Sequence, residues 1–237
     1  MKISLVIPAH NEAKYIVRCL GSVIAARLEN LHEIIVVDNA SSDNTAAVAL
    51  SFPGVRVVRE EKKGLTRARQ TGFENATGDI IAYVDADTEM PPEWFQTVVQ
   101  EFSKNGKLVC LSGPYRYYDI SRVRKIAVPL FWLLMAFPSY LFIGYMVVGG
   151  NFAARRKSLQ AIGGFDTSIS FYGEDTDIAR RLHAVGKVKF KPSFFIRTSG
   201  RRFSGQGFLK TGIIYVGNFI SEVIFHHPIT RKYKDIR

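Results

Sequence analysis

The sequence has few cysteines and lacks the glycine-rich loops of the common nucleotide-binding enzymes. Cys19 and Cys110 are the only cysteines in 237 residues, too few for a disulfide framework or a thiolate zinc site. We interpret both as small buried side chains of a protein from a reducing compartment. Neither a G-x-G-x-x-G sequence nor a Walker-type phosphate loop occurs, which argues against a dinucleotide-binding or P-loop enzyme.

The first residues also lack the pattern of a secretory signal. Met1 and Lys2 lead directly into a β-branched apolar run, without a charged region followed by a longer apolar core. We therefore expect no secretory signal and a cytoplasmic location.

Acidic residues are scarce in the second half of the chain. Residues 1–115 contain 12 Lys and Arg against 14 Asp and Glu, whereas residues 116–237 contain 20 against 7, so the net charge of +11 comes from the second half. Basic surfaces contact nucleic acid, anionic lipid or phosphorylated substrates. The aromatic residues of this half cluster in an apolar run and do not alternate with Lys and Arg, which argues against a nucleic-acid-binding protein.

Apolar runs that alternate with helical patterns predict an α/β fold. Five β-branched or apolar runs are typical of strands buried on both faces: residues 3–8, 34–37, 55–58, 80–84 and 108–111. Amphipathic patterns with helical spacing lie between these runs. This order predicts a doubly wound, mostly parallel sheet with right-handed connections and helices on both faces. With 47% hydrophobic residues, the chain can bury the core of one continuous domain.

Two carboxylates stand at the end of the fourth apolar run. Because side chains alternate along a strand, Asp85 and Asp87 emerge on the same side, at the end where open parallel sheets bind ligands. Two such carboxylates repel each other unless a positive charge lies between them, and a divalent cation with oxygen ligands supplies that charge. The alternative is an acidic turn that caps the following helix.

Other polar residues follow the remaining strands. Pro8, Asn11 and Asp38 fall at the carboxyl ends of the first two strands, and Asn11 also fits the N-cap position of the first helix. Such groups accept hydrogen bonds from a nucleobase or a ribose. Arg69, close to Gly64, can neutralise a diphosphate, and its alternative is a place on a solvated helix face.

Four motifs occur in one order within the first 87 residues. They are residues 5–12 (LVIPAHNE), 36–45 (VVDNASSDNT), 63–72 (KGLTRARQTG) and 83–87 (YVDAD). Together they resemble family 2 glycosyltransferases of the GT-A fold. The resemblance implies a nucleotide-diphosphate sugar of the UDP or GDP type, a Mg²⁺ or Mn²⁺ ion, and transfer with inversion.

The resemblance also implies roles for individual residues. The implied donor-binding residues are Pro8, Asn11, Glu12, Asp38, Arg69, Asp85, Arg201 and Arg202. Asp38 would contact the base, Asp85 the ribose or a metal-bound water, and Asp87 together with Asp85 the metal. One departure is Gln70, which follows Arg69 where many members of the family carry Asn.

The second half contains an apolar segment of unusual length. Residues 126–148 contain no charged side chain, are long enough to span a bilayer, and have Lys and Arg on both sides. A single crossing would separate the sheet from residues 149–156 and 174–177, which resemble the acceptor half of the same family's site. Pro129 and Pro138 also interrupt a continuous helix.

We therefore predict that residues 126–148 form short helices in the membrane interface. Trp132, Tyr140 and Tyr145 would then be interfacial aromatic residues, and the basic flanks would contact anionic lipid. The alternative is a helix pair buried in the core or in a dimer.

Two further motifs complete the predicted site. Glu174 and Asp175 begin a helical pattern and alone would be read as a helix cap. The resemblance instead favours Asp175 as the catalytic base, with Glu174 orienting or binding the acceptor. Arg201 and Arg202 follow small residues, and we predict that one of them closes over the donor diphosphate, the alternative being a solvated basic loop.

The combined prediction is an inverting glycosyltransferase, peripheral on the inner face of the cell membrane. Residues 1–115 would bind the nucleotide sugar and residues 116–237 the acceptor: a glycolipid, a polysaccharide precursor or a polyprenyl phosphate. A lipid phosphate is already ionised and needs no strong base, so Asp175 would then mainly position the substrate. A catalytically silent family member that binds a sugar or a partner is the alternative from another functional class.

Overall fold

Strands and helices alternate through the first half of the chain, as the apolar runs predict. The computed structural model describes residues 1–169, 172–227 and 229–230. The strands are β1 (Ile3–Ala9), β2 (Leu31–Asn39), β3 (Val55–Glu60), β4 (Ile80–Val84), β5 (Thr88–Glu89), β6 (Leu108–Ser112), β7 (Tyr115–Tyr117), β8 (Asn151–Arg155), β9 (Lys187–Phe190) and β10 (Ile196–Thr198). The helices are α1 (Ala13–Ala25), α2 (Thr45–Leu50), α3 (Leu65–Asn75), α4 (Trp94–Lys104), α5 (Arg122–Phe131), α6 (Phe137–Ile143), α7 (Arg156–Ala161), α8 (Glu174–His183), α9 (Arg201–Gln206) and α10 (Phe208–Phe225).

The main sheet is mostly parallel. Within the described residues, its strand order is β3-β2-β1-β4-β8-β6-β9, and only β8 runs antiparallel to its neighbours. Strand β8 lies between β4 and β6, so the chain after residue 150 returns to the centre of the sheet built by the first half. The predicted α/β class with a mostly parallel sheet is confirmed.

Helices cover both faces of this sheet. Because side chains alternate along β1, Leu5 and Ile7 contact the apolar cluster that includes Trp94 of α4, whereas Val6 contacts the cluster that includes Ala68 of α3 and Leu182 of α8. Each strand of the sheet centre is therefore buried on both sides, which explains its continuous apolar sequence.

A small second sheet lies beside the carboxyl end of β4. Strand β10 pairs antiparallel with β5 and parallel with β7. Thr198 stands opposite Thr88, the residue that follows Asp87. This sheet fixes the start of α9 next to the two carboxylates of the predicted metal site.

The apolar segment is one continuous helical run, which corrects part of the prediction. Helices α5 and α6 are joined without a break by a π-helical turn, Trp132–Ala136. Pro129 lies inside α5 and Pro138 in the first turn of α6, so the prediction that these prolines interrupt the helix is wrong. The π-helical turn begins at Trp132, shortly after Pro129. Prolines and π-turns are places where a helix bends, and here the helix continues through both.

This helical run, Arg122–Ile143, is long and apolar enough to cross a membrane by length and composition alone. Only 11% of the most apolar 18-residue stretch of this run is buried, so the alternative of a helix buried in the core is wrong. The segment is not uniformly exposed, however, because residues 145–148 beyond the helix are buried in the protein.

The three aromatic residues predicted for the interface face the protein instead. Tyr145 is buried and its ring lies 5.3 Å from that of His183, so its interfacial assignment is wrong. Trp132 and Tyr140 both pack against Phe190 of β9, with ring centroids 5.7 and 6.0 Å away. The outer side of the helical run is formed mainly by aliphatic residues together with Phe131 and Phe142. The basic residues at 231–237 lie outside the described residues.

Candidate active site

The ends of β1 and β2 form one wall of the site. Ala9 pairs with Asp38 in the parallel register, so the loops that follow the two strands lie side by side. Asn11 adopts a positive φ of 54° and its Oδ1 accepts a hydrogen bond of 2.8 Å from the backbone N–H of Ser42. Asn11 therefore joins the two loops, and its prediction as an N-cap is wrong because Glu12 occupies that position.

Asp38 and Pro8 lie at this wall as predicted. Both are buried, and the Oδ1 of Asp38 accepts a hydrogen bond of 3.3 Å from the backbone N–H of Ser41. The other carboxylate oxygen, Oδ2, accepts no hydrogen bond from the residues that the structure describes. It leaves one acceptor at this wall.

Asp85 follows directly after the last residue of β4. Its Oδ2 accepts a hydrogen bond of 2.9 Å from the hydroxyl of Tyr115, and its Oδ1 lies 3.3 Å from Nη2 of Arg69. Helix α4 begins only at Trp94, with Glu93 at its N-cap, so the alternative that Asp85 and Asp87 cap this helix is wrong.

Asp87 lies between the small sheet and α9. Thr198 Oγ1 donates to its Oδ1 over 3.2 Å, and Nη2 of Arg201 lies 3.2 Å from its Oδ2. Burial raises the pKa of Asp87 to about 7, although the positive charge of Arg201 opposes this shift. Asp85 and Glu12 add negative charge nearby and raise the pKa further.

Arg201 connects Asp87 with Glu12. Its Nη1 donates to Glu12 Oε2 over 2.9 Å, its Nη2 contacts Glu12 Oε1, and its guanidinium lies 4.5 Å from the ring centre of Tyr15. A solvated loop is therefore the wrong description of Arg201. Arg202 follows in the same helix, where its charge acts on the phenols of Tyr117 and Tyr215.

Arg69 joins the two halves of the predicted site. Its side chain is 2% exposed, so the alternative of a solvated helix face is wrong. Nη1 donates to Glu174 Oε1 over 2.7 Å, while Nη2 lies 3.3 Å from Asp85 Oδ1. One guanidinium on α3 thus connects the end of β4 with the start of α8.

Two glycines allow this close approach. A Cβ on Gly149 would lie 2.8 Å from Nη1 of Arg69, and one on Gly150 would overlap Asp85 Oδ2 and the hydroxyl of Tyr115. The backbone N–H of Gly150 donates to that hydroxyl over 2.8 Å. Glycine at these two positions therefore lets the backbone before β8 approach Arg69 and Asp85 closely.

Glu174 and Asp175 begin α8 after Gly173, which has a positive φ of 87°. Burial raises the pKa of Glu174, and the neighbouring charge of Asp175 raises it further, against the effect of Arg69. Burial also raises the pKa of Asp175, whose carboxylate accepts hydrogen bonds from the backbone N–H groups of Thr176 and Gly149. Both carboxylates thus reach the site that holds Asp85.

Asp177, two positions after Asp175, lies outside the group of carboxylates that meet at Arg69. Asp177 lies in the first turn of α8, and its carboxylate pairs with Arg180 and Arg181 along the same helix. Its side chain therefore supports the helix and does not enter the site.

Sequence reasoning missed Tyr115 and Thr198, which contact the two aspartates. Tyr115 lies on a strand of three residues, too short for a recognisable pattern, although Gly113-Pro114 before it marks a turn. Gln70, the departure noted above, accepts a hydrogen bond of 2.8 Å from the backbone N–H of Phe165 and supports the loop before α8.

The carboxylates fit a metal that shares its ligands with a substrate. Among the described residues, no group of three His, Cys, Asp or Glu side chains could hold a metal ion alone. Asp87 and Asp85 offer hard oxygen donors, and Mg²⁺-type ions are commonly held by one or two carboxylates with substrate phosphates and water. Arg201 Nη2 lies 3.2 Å from Asp87 Oδ2, so a metal bound there would share this carboxylate with the guanidinium or displace it.

Comparison with known proteins gives a consistent family. Residues 4–163 match the family described as Glycosyl transferase family 2. The chain is 33% identical over 110 residues to glycosyltransferase AglE of Haloferax volcanii, which covers 44% of this chain and 36% of that protein. It is 30% identical over 211 residues to human polypeptide N-acetylgalactosaminyltransferase 10, covering 77% of this chain and 35% of that protein. The chain thus spans about a third of the length of these relatives.

Solved structures share the fold. The mannosyltransferase PcManGT from Pyrobaculum calidifontis, in complex with GDP-Man and Mn²⁺, superimposes with a TM-score of 0.71 at 20% identity, over 95% of this chain and 63% of that one. Glucosyl-3-phosphoglycerate synthase from Mycobacterium tuberculosis, in complex with Mn²⁺, UDP-Glc and phosphoglyceric acid, gives 0.65 at 22% identity over 94% and 79%. The predicted GT-A fold is confirmed.

Proposed function

This chain belongs to glycosyl transferase family 2, and from that premise we propose that it transfers a sugar, with inversion, from a nucleotide-diphosphate sugar to an acceptor. One observation carries the proposal. Arg69 brings Asp85, at the end of the first-half strand β4, and Glu174, at the start of α8, into one site. A transferase has to hold two substrates beside each other, and this bridge joins the two parts that would hold them.

The donor would lie along the ends of β1, β2 and β4. Asp38 has an acceptor oxygen for the base, and the loops joined by Asn11 form the wall beside it. Pro8 is buried one residue before the end of β1 at this wall, and Glu12 holds Arg201 in place. Asp85 would contact the ribose or the metal at the centre of the crevice.

Asp87, with Asp85, would hold a Mg²⁺ or Mn²⁺ ion. When bound, such an ion supplies positive charge against the diphosphate that departs. Mn²⁺ accompanies the nucleotide sugar in both solved structures described above, which supports this assignment. Arg201 and Arg202 would add guanidinium donors on the diphosphate, a geometry that suits phosphate oxygens.

Asp175 would act as the general base. It would take the proton of the acceptor hydroxyl while the hydroxyl oxygen bonds to the anomeric carbon, and the bond from that carbon to the diphosphate oxygen breaks with its electron pair. Glu174, fixed by Arg69, would orient the acceptor beside it. Attack from the side opposite the leaving group gives inversion.

The acceptor would be a glycolipid, a polysaccharide precursor or a polyprenyl phosphate. A hydroxyl acceptor needs the base, whereas a phosphate acceptor is already ionised and needs only positioning by Asp175. The two cases differ in the measured loss on removing the carboxylate of Asp175.

Thermal unfolding with UDP-, GDP-, CMP- and dTDP-sugars, with and without Mn²⁺, tests the donor. A ligand at about 100 times its Kd stabilises the folded state by about 2.7 kcal/mol, so the correct nucleotide sugar should raise the melting temperature. Incubation with that sugar should then release the nucleoside diphosphate by slow hydrolysis or by transfer. Binding without any release would identify a catalytically silent member, and the absence of any shift would contradict the proposal.

A further inference from the structure

Helix α10 differs from α1 in the kind of side chain that it buries. Helix α1 buries its apolar residues, Ile16, Cys19, Leu20 and Val23, as a helix beside water does. Helix α10 buries polar residues instead, namely Thr211, Asn218, Ser221 and Glu222. Its outward residues are apolar: the relative exposure of Ile213 is 72% and that of Phe225 is 63%.

The buried polar groups of α10 are satisfied mainly within the helix and its own C-terminal turn. Thr211 Oγ1 donates to the carbonyl of Gly207 over 2.8 Å, and Asn218 Nδ2 to the carbonyl of Ile214 over 2.7 Å. The hydroxyl of Ser221 donates to the carbonyl of His227 over 2.7 Å. The carboxylate of Glu222 is the exception, because neither oxygen accepts a hydrogen bond within the described residues and Arg180 Nη2 lies 3.9 Å from Oε1. Polar groups turned inward and apolar groups turned outward are the arrangement of a helix whose outer side does not face water.

The helical run Arg122–Ile143 has the same outward chemistry. Ile126, Leu134 and Phe142 are exposed, Phe142 to 93%. Its inward aromatic residues Trp132 and Tyr140 pack in one cluster with Phe219 of α10. The two helical elements therefore pack against the same cluster, and their exposed apolar residues are here together called the apolar face: Ile126, Leu134, Phe142, Ile213, Ile224 and Phe225.

The apolar face cannot be explained by a single membrane crossing. Residues 151–155 after the helical run form β8, which pairs with β4 in the centre of the main sheet. Both ends of the run are therefore on the same side of any bilayer, and the run has to lie on its surface.

The positive charge of the chain indicates which surface the apolar face contacts. Arg122, Arg124 and Lys125 begin the helical run, and residues 116–237 carry 20 basic against 7 acidic residues. A second copy of the chain would bring together two molecules that each carry a net charge of +11, which repel each other. An anionic lipid surface attracts the same charges, as the cytoplasmic leaflet does.

We propose that the apolar face, formed by the helical run Arg122–Ile143 and α10, inserts into the headgroup region of an anionic membrane leaflet and holds the protein there as a peripheral protein. Met146 and Val148 connect the inward side of this surface with Gly149 and Gly150 at the site. The membrane binding does not depend on the transfer reaction. Only its consequence, that a lipid-linked acceptor reaches the site from the membrane, rests on the proposed function.

Flotation of the full chain with vesicles tests the proposal. The protein should float with phosphatidylcholine vesicles that contain phosphatidylglycerol, and more weakly with phosphatidylcholine alone. The double variant Leu134→Ser and Phe142→Ser removes two exposed apolar side chains from the face and should lower vesicle affinity about tenfold or more. Charge reversal by Arg124→Glu and Lys125→Glu should remove the preference for anionic vesicles.

Leu50→Ser is the matched control, because Leu50 is 60% exposed at the end of α2, outside the apolar face. It should leave flotation unchanged, and all variants should retain the wild-type melting temperature. Protein that stays soluble without detergent and ignores anionic vesicles would overturn the proposal. A concentration-dependent dimer that the double variant dissociates, with no flotation, would assign the face to a second copy instead.

Discussion

The two carboxylate pairs of the site are held in different ways. Asp85 and Asp87 follow a strand buried on both faces, whereas Glu174 and Asp175 begin a helix after a left-handed glycine. In each pair, one member contacts Arg69 and the other does not: Asp87 pairs with Arg201, and Asp175 accepts from backbone N–H groups. In each pair, therefore, Arg69 holds one carboxylate and a separate set of donors holds the other.

Arg69 can serve both pairs because of its shape. A guanidinium presents donors in several fixed directions, so one side chain can bind Asp85 through Nη2 and Glu174 through Nη1. The buried positive charge also offsets part of the repulsion between the carboxylates. Each of the following substitutions changes one side of this comparison.

Asp175→Asn should have the largest effect. It keeps the size of the side chain but removes the base, so kcat should fall by about 10²–10⁴-fold while nucleotide-sugar binding stays as in the wild type. Single-turnover transfer and thermal shift with the donor measure the two quantities separately. Asp177→Asn, in the same first turn of α8 but outside the site, is the matched control for helix effects. Retained turnover would move the base to Glu174, and a loss of only a few-fold would point to a phosphate acceptor.

Arg69→Met should be the most destabilising change. It leaves the buried Glu174 and the partly exposed Asp85 without their common partner, and loss of one partner from a buried ion pair typically costs about 3–5 kcal/mol in the free energy of unfolding. Urea unfolding measures this loss. Arg67→Met, two positions earlier in α3 and less buried, should cost well under half as much. Equal losses for the two variants would show that Arg69 acts as an ordinary helix residue.

The sequence predicts the donor side of this comparison better than the acceptor side. The strands before Asp38 and Asp85 are continuous apolar runs, so strand, topology and carboxyl end follow from local pattern. The bridge from Arg69 to Glu174 joins residues 105 positions apart, and no local pattern specifies such a contact. The helical run Arg122–Ile143 also shows the limit, because the packing of Trp132 and Tyr140 inward depends on Phe190, which lies far away in the sequence.

Asp87→Asn should separate metal-dependent from metal-independent binding of the donor. Loss of a carboxylate that would hold the metal should lower nucleotide-sugar affinity in the presence of Mn²⁺ by roughly 10–100-fold. Affinity without the metal should change little, since Arg201 and the walls of the site remain. Titration calorimetry with and without Mn²⁺ measures both values. An equal loss in both conditions would assign Asp87 to direct contact with the donor.

The acidic limb of the plot of kcat against pH should reveal the coupling between Glu174 and Asp175. Burial raises the pKa of Asp175, so the base is protonated and inactive up to a higher pH than an ordinary aspartate, and the rate rises as pH increases through that pKa. Glu174→Gln removes the carboxyl group that titrates together with Asp175 and should move the limb to lower pH. Arg69, the positive group facing both carboxylates, remains in this variant. An unmoved limb would mean that the titrating group is not Asp175.

Tyr115→Phe should have the smallest effect and tests whether Asp85 needs more than Arg69. The substitution removes the hydroxyl that donates to Asp85 Oδ2 and accepts from the N–H of Gly150. Loss of a hydrogen bond costs about 0.5–1.5 kcal/mol, so donor affinity should fall by about two- to tenfold while the acidic limb stays in place. Tyr118→Phe, three positions later, is the control, because this hydroxyl donates to the backbone carbonyl of Asp87 and not to its carboxylate. If Tyr115→Phe instead shifts the acidic limb as Glu174→Gln does, loss of the hydrogen bond to Asp85 changes the titration of the second carboxylate pair. The two pairs would then titrate together, connected by Arg69, which contacts both Asp85 and Glu174.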